Sequence, residues 1–581
     1  MLELRKHRSA IGLVVAIALS ACSKGASFRA KLTLGHDAGP SDSSTQSGQG
    51  GESGQRGQGG KTANTVGTSG GGTTSGIGGA KSGGGGSGGA SGSGGSTANG
   101  SIFPLTVSSN GRYLVEQDGT PFPILGDSGW EAPLNLNASD QDAYLTDRVG
   151  RHFNAVLFEA IEHKLTSNKP PKDLAGDLPF TKRLDGQPFT GSPDGTTTTS
   201  GYSSQFPPDP YTDINSQSPD LTSPNEPYWT AMDAYIALCA SKGVLVFMFP
   251  AYTGYGGTDE GWMNEMVAND AVTGAGTLAG QPWVDGSKSK LWNYSAWIAN
   301  RYKNATNLVW LYGGDYGTSA TGGGLFTQPQ ENAVNSVLAG TESIASQKSI
   351  LRAAHWARGS IATDVSLPAG PFNLESVYTD TSSAQIGRTG YAHSPAMPAF
   401  QIEGYYENNS HNNGLPNRRL LWWVELSDIG GYFFGNEQEW GFSSGWQAIL
   451  NSPGSQDTAR MNAFFLGIPW YQLVPSGLNG AKTLVTENGG TENPQSDDYV
   501  AAAVTGDGAV LVAYVPPSHS GTITVDMSAL SKPSHARWFN PATAAYTEIA
   551  TNVANSSTKT FTPPGDNGSG FGDWVLVLDA R

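Results

Sequence analysis

The chain has 581 residues, room for two or three domains of roughly 100–200 residues each, and carries a formal net charge of −16. Only 14% of residues are charged while 78 are Gly, yet 15 Trp, 21 Tyr and 21 Phe are present, which argues against a charge-driven disordered chain. The acidic balance argues against a phosphate-backbone binder, and two Cys exclude a disulfide scaffold or a Cys-based zinc site.

In chain order, Arg5, Lys6 and Arg8 form a basic start before an apolar run from Ile11 to Leu19, too short to span a bilayer. It ends in Leu19-Ser20-Ala21-Cys22, which resembles the bacterial lipobox. The resemblance implies a signal peptide over 1–22, cleavage before Cys22 and lipidation there. The expected location is the bacterial cell envelope, lipid-anchored or secreted, with the lipid as the only membrane contact. Residues 23–101 read as a tether, Gly/Ser/Thr/Gln-rich from about 36. Such a segment cannot bury enough apolar surface to offset its conformational entropy. A flexible coil of ~65 residues has a reach of roughly 45 Å.

From Ile102 the composition changes. Arg112 to Phe122 reads as a hairpin around Asp118-Gly119. An apolar run follows, ending in Asp127, then a helix over 140–149 and a buried strand over 153–158. Further units are a helix over 228–242 stopped by Gly243, a strand over 244–249, a helix over 292–302, a strand over 307–311, a helix over 329–346 and a strand over 349–354. Strands alternating with helices predict a parallel α/β fold, and polar or aromatic residues at the run ends (Asp127, Tyr252, Asp315, His355, Glu403) predict a (β/α)8 TIM barrel. The insertion over 165–225 is expected as loops above the barrel.

Asp315 follows Trp310-Leu311-Tyr312-Gly313-Gly314, and Glu403 follows an apolar run and precedes Tyr405-Tyr406. Two carboxylates on neighbouring strand ends suit glycoside hydrolysis: one protonates the leaving oxygen, the other attacks or activates water. Each also has a plain structural reading, Asp315 as a cap and Glu403 as an ion-pair partner of Arg418 or Arg419, a role Glu407 fits better. Trp130, Tyr252, Tyr255, Trp262, Tyr316, Trp356, Trp423 and Trp440 are candidate sugar platforms or core residues. Cys239 reads as a small buried hydrophobe. No His-Glu-x-x-His or phosphate-loop motif is present, no dinucleotide fingerprint follows a strand, and no Gly-x-Ser-x-Gly elbow sits on a strand–helix turn.

After Pro475 the pattern becomes all-β, with strands expected over 499–504, 509–515, 522–526, 536–541, 546–549 and 573–578. Short strands with regular turns predict a small β-sandwich over 479–581, behind a catalytic domain over 102–478.

Asp118-Gly119-Thr120-Pro121-Phe122 with Leu125 to Trp130, Arg148 with Phe153 to Val156, Asn307 to Trp310 with Gly313-Gly314-Asp315, Glu403 to Glu407 with Arg418, and a Gly-rich turn at Gly430 to Gly435 with Trp440 together resemble the apiosidase-like glycoside hydrolases. The resemblance implies a retaining two-carboxylate mechanism with Asp315 as general acid/base on the fourth strand and Glu403 as nucleophile on the seventh. It places Asp127, Trp130, Tyr316, His355, Tyr406 and Trp440 around the terminal sugar, and it requires no metal or organic cofactor. Ser128-Gly129 stands where Thr-Ala is more usual, and Asn408, Asn409, His411, Asn412 and Asn413 follow Glu407. These departures leave apiose one candidate sugar among several. Trp538 to Pro541 and Asp573 to Leu576 resemble a small domain catalogued as collagen-binding, read here as a packing module. The partner expected is a carbohydrate, not nucleic acid. The competing reading is a non-catalytic surface lipoprotein that binds glycan or collagen.

Overall fold

The computed structural model describes residues 101–162, 171–191, 218–255, 261–318, 324–344, 346, 350–370, 372–379, 383–409, 417–492 and 496–581. The leader with Cys22, the tether before Ser101, much of the 165–225 insertion and His411, Asn412 and Asn413 lie outside the described residues. Among the described residues no helix is long and apolar enough to cross a membrane.

Eight parallel strands make the barrel: β1 (Ile124–Asp127), β2 (Ala155–Glu159), β3 (Leu245–Phe249), β4 (Leu308–Gly313), β5 (Leu351–His355), β6 (Glu375–Tyr378), β7 (Ala399–Glu403) and β8 (Ile429–Phe434). They pair in the order β5-β4-β3-β2-β1-β8-β7-β6. The seam between β5 and β6 is bridged by the Asn373 and Leu374 N–H groups, which donate to the Arg352 carbonyl at 3.2 and 3.1 Å. Alternation sorts the side chains. Ile124, Leu157, Phe247, Leu311, Ala353 and Phe433 share the interior cluster, while their neighbours pack against outer helices. Three short strands before β1 form the expected hairpin, with Gly119 at φ 88° in its turn, and the segment adds Phe103, Leu105, Leu114 and Phe122 to the interior.

The outer layer holds α1 (Ala138–Gly150), α2 (Glu226–Ser241), α3 (Met263–Asp270), α4 (Lys290–Arg301), α5 (Gln328–Glu342), α6 (Ser383–Ala392), α7 (Asn417–Asp428) and α8 (Pro453–Leu466). Helix α1 starts at Ala138, two residues before the expected 140, and is capped by Asn137, whose side chain accepts the Ser139 and Asp140 N–H groups. The described part of the insertion packs Phe180 against Trp229, Trp262 and Tyr294 on the barrel wall. Cys239 is buried on α2 as expected, and burial pushes its thiol well above the ordinary range.

One expectation is overturned. Gly430 to Gly435 is not a turn: Ile429–Phe434 is the eighth barrel strand. Its glycines allow close backbone approach, because a Cβ on Gly430 would meet the Ala399 carbonyl and one on Gly431 the Ile124 carbonyl.

The C-terminal part is a sandwich of two sheets. Strands β9 (Leu473–Pro475), β11 (Ala501–Thr505), β12 (Val510–Val515), β17 (Trp574–Asp579), β14 (Ser534–Phe539) and β15 (Tyr546–Val553) form one sheet in that spatial order. Strands β10 (Val485–Glu487), β13 (Ile523–Asp526) and β16 (Thr558–Phe561) form the other. The first sheet therefore begins at Leu473, ahead of the boundary expected at 478.

Helix α7 is buried along its whole length because it lies between barrel and sandwich. Trp422 stacks on Tyr514 at 5.8 Å with ring planes 5° apart. Arg418 donates to Asp573 through Nε and Nη2 at 2.8 and 2.6 Å, and to Asp457 at 2.8 Å. Trp423 donates to the Tyr499 carbonyl, so it belongs to this junction rather than to a sugar site. Arg418→Ala would strand a fully buried Asp573 carboxylate and should cost about 3–5 kcal/mol. Denaturant unfolding followed by intrinsic fluorescence checks this; an unshifted midpoint would show that the junction contributes little.

Candidate active site

The carboxyl ends of β4, β5, β6 and β7 converge on one imidazole. His355 ends β5, fully buried, and its Nδ1 accepts the Asp315 backbone N–H at 3.1 Å. Its Nε2 lies 2.6 Å from Glu403 Oε2. An accepting Nδ1 puts the single proton of the neutral ring on Nε2, facing the Glu403 carboxylate. Burial keeps the ring neutral by lowering its pKa to about 4, against the opposing pull of Asp315.

Asp315 follows β4 in a left-handed conformation at φ 52°, after Gly313 at 87° and Gly314 at 136°. Both glycines are required: a Cβ on Gly313 would strike Trp356, and one on Gly314 would strike Tyr252. The loop is fixed by the Gly314 N–H donating to the His355 carbonyl (2.6 Å) and the Thr253 hydroxyl donating to the Gly314 carbonyl (2.6 Å). A non-glycine residue held at positive φ by surrounding bonds is the kind of strain that collects at functional sites. Asp315 is half-buried, and desolvation and then the Glu403 charge raise its pKa to about 7; His355, Arg358 and the Tyr378 hydroxyl (3.5 Å from Oδ2) oppose the rise.

Glu403 ends β7 at an irregularity. Gln401 pairs with Val377 and Glu403 with Tyr378, so two residues of β7 oppose one of β6. Phe400 and Ile402 face the interior, and strict alternation would send Glu403 outward. The extra residue interrupts that alternation, and Glu403 meets His355 instead.

Around these groups stand Trp130, Tyr252, Tyr378, Tyr406 and Trp440. Trp130 stacks on Phe249 at 5.7 Å and meets Tyr252 edge-on at 5.4 Å. Its indole N–H donates to the Tyr406 hydroxyl at 2.8 Å. Tyr406 also hydrogen-bonds Glu403 and Ser128, and burial with the Glu403 charge keeps the phenol protonated. Trp440 packs edge-on against Tyr406 at 4.9 Å and stays half-buried. Tyr378 stacks on His355 at 4.9 Å.

Other sequence candidates lie elsewhere. Asp127 shares the outer face of β1 with Leu125, because side chains alternate, and it is enclosed by Arg148 (Nε to Oδ2, 2.7 Å), Tyr144 and Glu439. Arg148 also binds Glu439, the residue before Trp440, so this network holds the loop that carries Trp440. Tyr316 donates its hydroxyl to the Leu325 carbonyl at 3.2 Å and packs on Phe326. Trp262 and Trp356 are core, their indoles donating to the Ile161 and Ala362 carbonyls. Tyr255 is half-buried in the segment after β3. Glu407 does not pair with Arg418 or Arg419. Its carboxylate receives the Gly454 N–H (2.7 Å), the Ser452 hydroxyl and the Asn436 amide at the start of α8.

Sequence reasoning missed Tyr378 and Arg358. Tyr378 ends Leu374-Glu375-Ser376-Val377, a run too short and polar to read as a barrel strand. It also missed Glu159, the last residue of β2. Glu159, Glu162 and Glu131 lie close together, and burial with the two neighbouring charges raises the Glu131 carboxyl far above the ordinary range. Among the described residues no cluster of His, Cys, Asp and Glu is arranged to hold a metal ion.

Two families match the chain. "Apiosidase-like, catalytic domain" covers residues 108–472, and "Putative collagen-binding domain of a collagenase" covers 483–579. None of the curated proteins compared matches it. A glycoside hydrolase family 5 protein from Bacteroides vulgatus ATCC 8482 shares the fold at TM-score 0.59 and 18% identity, over 82% of this chain and 93% of that one. A second solved structure, described as a glycoside hydrolase, does so at TM-score 0.57 and 18% identity, over 82% and 97%. The chain belongs to the apiosidase-like family, a family of glycoside hydrolases.

Because folding raises the Asp315 pKa, the folded state holds this proton more tightly than the unfolded chain does. Ionising Asp315 therefore costs stability as pH rises from about 4, the ordinary aspartate value, to about 7. Asp315→Asn should melt like the parent at pH 4 and at a higher temperature at pH 8. Equal melting temperatures at both pH values, by calorimetry, would contradict the assignment.

Proposed function

We propose that this member of the apiosidase-like family is a retaining glycosidase that removes a terminal sugar, apiose or one of similar size, from plant-type polysaccharide or its fragments. Asp315 is the general acid/base and Glu403 the nucleophile. The observation that carries the reading is the division of labour around His355. The neutral ring sets its Nε2 2.6 Å from a Glu403 carboxylate that the Tyr406 phenol also hydrogen-bonds, while burial and the Glu403 charge keep Asp315 protonated up to about pH 7. A carboxylic acid kept protonated to near neutrality beside a second carboxyl group is what acid-assisted displacement at an anomeric carbon needs.

In the first step Glu403 attacks the anomeric carbon as Asp315 gives its proton to the departing glycosidic oxygen. This forms a glycosyl ester on Glu403. In the second, Asp315 takes a proton from water, the water oxygen attacks the same carbon, and the ester bond breaks to restore Glu403. Trp130, Tyr252 and Trp440 offer faces for the sugar ring, and Tyr406 steadies the Glu403 carboxylate. Asp127 is a positioning residue acting through Arg148 and Glu439.

The sandwich is read as a packing module. Its larger sheet is covered on one face by α7 and α8 and on the other by the smaller sheet, and Trp538 and Trp574 are buried. The lipobox-like leader supports a place at the cell envelope.

Glu403→Gln and Asp315→Asn should each lower kcat by about 10²–10⁴ on a glycoside with a poor leaving group. The rate should fall on the alkaline side through about pH 7, and Asp315→Asn should lose that limb. Proton NMR of the first-formed sugar should show the anomeric configuration of the substrate. Inversion, or an alkaline limb that survives Asp315→Asn, would overturn the mechanism. A panel of apiose-bearing pectin, other plant polysaccharides and aryl glycosides identifies the sugar.

A further inference from the structure

A second cleft, of about 430 Å³, opens on the outer flank of the barrel between α2, α4 and the turn Gly276–Leu278. It shares no residue with the group around His355. Two indoles line it. Trp297 is fixed, edge-on to Trp229 at 4.8 Å and stacked with Tyr294. Trp283 is half-buried, resting on the core and open to the cleft. The polar wall carries Glu226, Gln281, Asn300 and Arg301.

The charges choose between occupants. Arg301 is held by Asp233 through two bonds at 2.8 Å and by Glu226 at 2.9 Å, with its guanidinium 5.5 Å from the Trp297 ring. Arg301, the cation in the lining, is already paired with Glu226 in the wall and Asp233 behind it, so it offers no free positive charge to recruit phosphate, sulfate or uronate. A purely apolar ligand would desolvate Gln281, Asn300 and Glu226 without replacing their hydrogen bonds. A neutral pyranose or furanose satisfies both demands. Its C–H face covers an indole, and its hydroxyls meet amide, carboxylate and guanidinium groups already set in place.

We propose that this cleft is a carbohydrate-holding site for neutral sugar units of a polysaccharide, separate from the catalytic mouth. The proposal rests on the glycosidase reading for its choice of polymer. A site there would keep the enzyme on an insoluble or branched polymer while its mouth releases terminal sugars, raising the local concentration of ends.

The test uses the full chain in native gels cast with linear arabinan, galactomannan or polygalacturonate, alongside turnover of a soluble aryl glycoside. At least one neutral polymer should retard the parent. Trp283→Ala should weaken that apparent affinity about fivefold or more. Trp283→Phe should keep most of it, and the pair Gln281→Ala with Asn300→Ala should weaken it without touching the stacking face. Polygalacturonate retardation, if any, should not depend on Trp283, and aryl glycoside turnover should be unchanged in every variant. No retardation of the parent by any neutral polymer, or equal retardation of parent, Trp283→Ala and the Gln281/Asn300 variant, overturns the proposal. Trp283-dependent retardation without turnover of any substrate would uphold the cleft and sink the glycosidase reading. Turnover without Trp283 dependence would do the reverse.

Discussion

The structure depends on one buried, uncharged imidazole. His355 accepts a backbone N–H on one side and lies 2.6 Å from a carboxylate on the other, in a dry site that keeps it neutral, and the accepting Nδ1 sets its tautomer. A protonated ring would present N–H groups to both neighbours and lose the Asp315 backbone bond. A ring of the other tautomer would turn a lone pair toward Glu403. The peptide bond that carries Asp315 and the side chain of Glu403 are thereby held in one frame, although they are 88 positions apart (403 − 315) in the chain. Desolvation acts in opposite directions on the two residue types: it lowers the pKa of a histidine and raises that of an aspartate. One dry environment therefore yields a neutral His355 and a protonated Asp315 at the same pH.

Holding that frame takes the backbone as much as the side chains. Gly313 and Gly314 admit aromatic rings where a Cβ would collide, and the loop then presents Asp315 at positive φ. An extra residue in β7 brings Glu403 to His355. Behind the first strand, the Asp127, Arg148, Glu439 and Tyr144 network pins the loop of Trp440. Glu407 pins the start of α8 and, through the Gly435 and Glu437 backbone, ties the loop after β7 to the loop after β8. The first network uses charged residues in a dry place, where leaving one partner unmatched is expensive, and the second satisfies a half-buried carboxylate with neutral donors. This accounts for ionic residues that sit beside the site without facing the sugar.

Much of this was legible in the sequence because its physical causes are local. Buried parallel strands write apolar runs such as Val244 to Phe249, and capped helices write Gly243 or Pro329. The polar residues that end such runs sit at the carboxyl face of a barrel, which is how Asp315, His355 and Glu403 could be singled out. What could not be read depends on partners far along the chain. Asp127 looks like a strand-end acid of the same kind as Asp315, and only its parity with Leu125 and the presence of Arg148 send it outward. Gly430 and Gly431 look like a turn because glycine usually marks one. Here they sit in a strand whose neighbours approach too closely for side chains. Tyr378 was hidden because β6 is four residues long and includes Glu375, a residue whose burial is compensated by Thr363.

The low charge content of the chain acquires a meaning in this setting. A sugar is a neutral ligand with apolar faces and hydroxyl edges, and a surface dense in Lys and Glu would compete for those hydroxyls and hold water against the rings. Aromatic residues and uncharged amides leave the few ionic groups to do separate tasks. Arg418 and Asp573 lock the sandwich to α7, Arg148 and Asp127 hold a loop, and Arg301 is neutralised by acids beside two indoles. At the barrel mouth Glu403 is buried, with the Tyr406 phenol and the His355 ring beside its carboxylate in place of most of its water. In the proposed mechanism, that dryness leaves the carboxylate little solvent shell to shed on reaching an anomeric carbon.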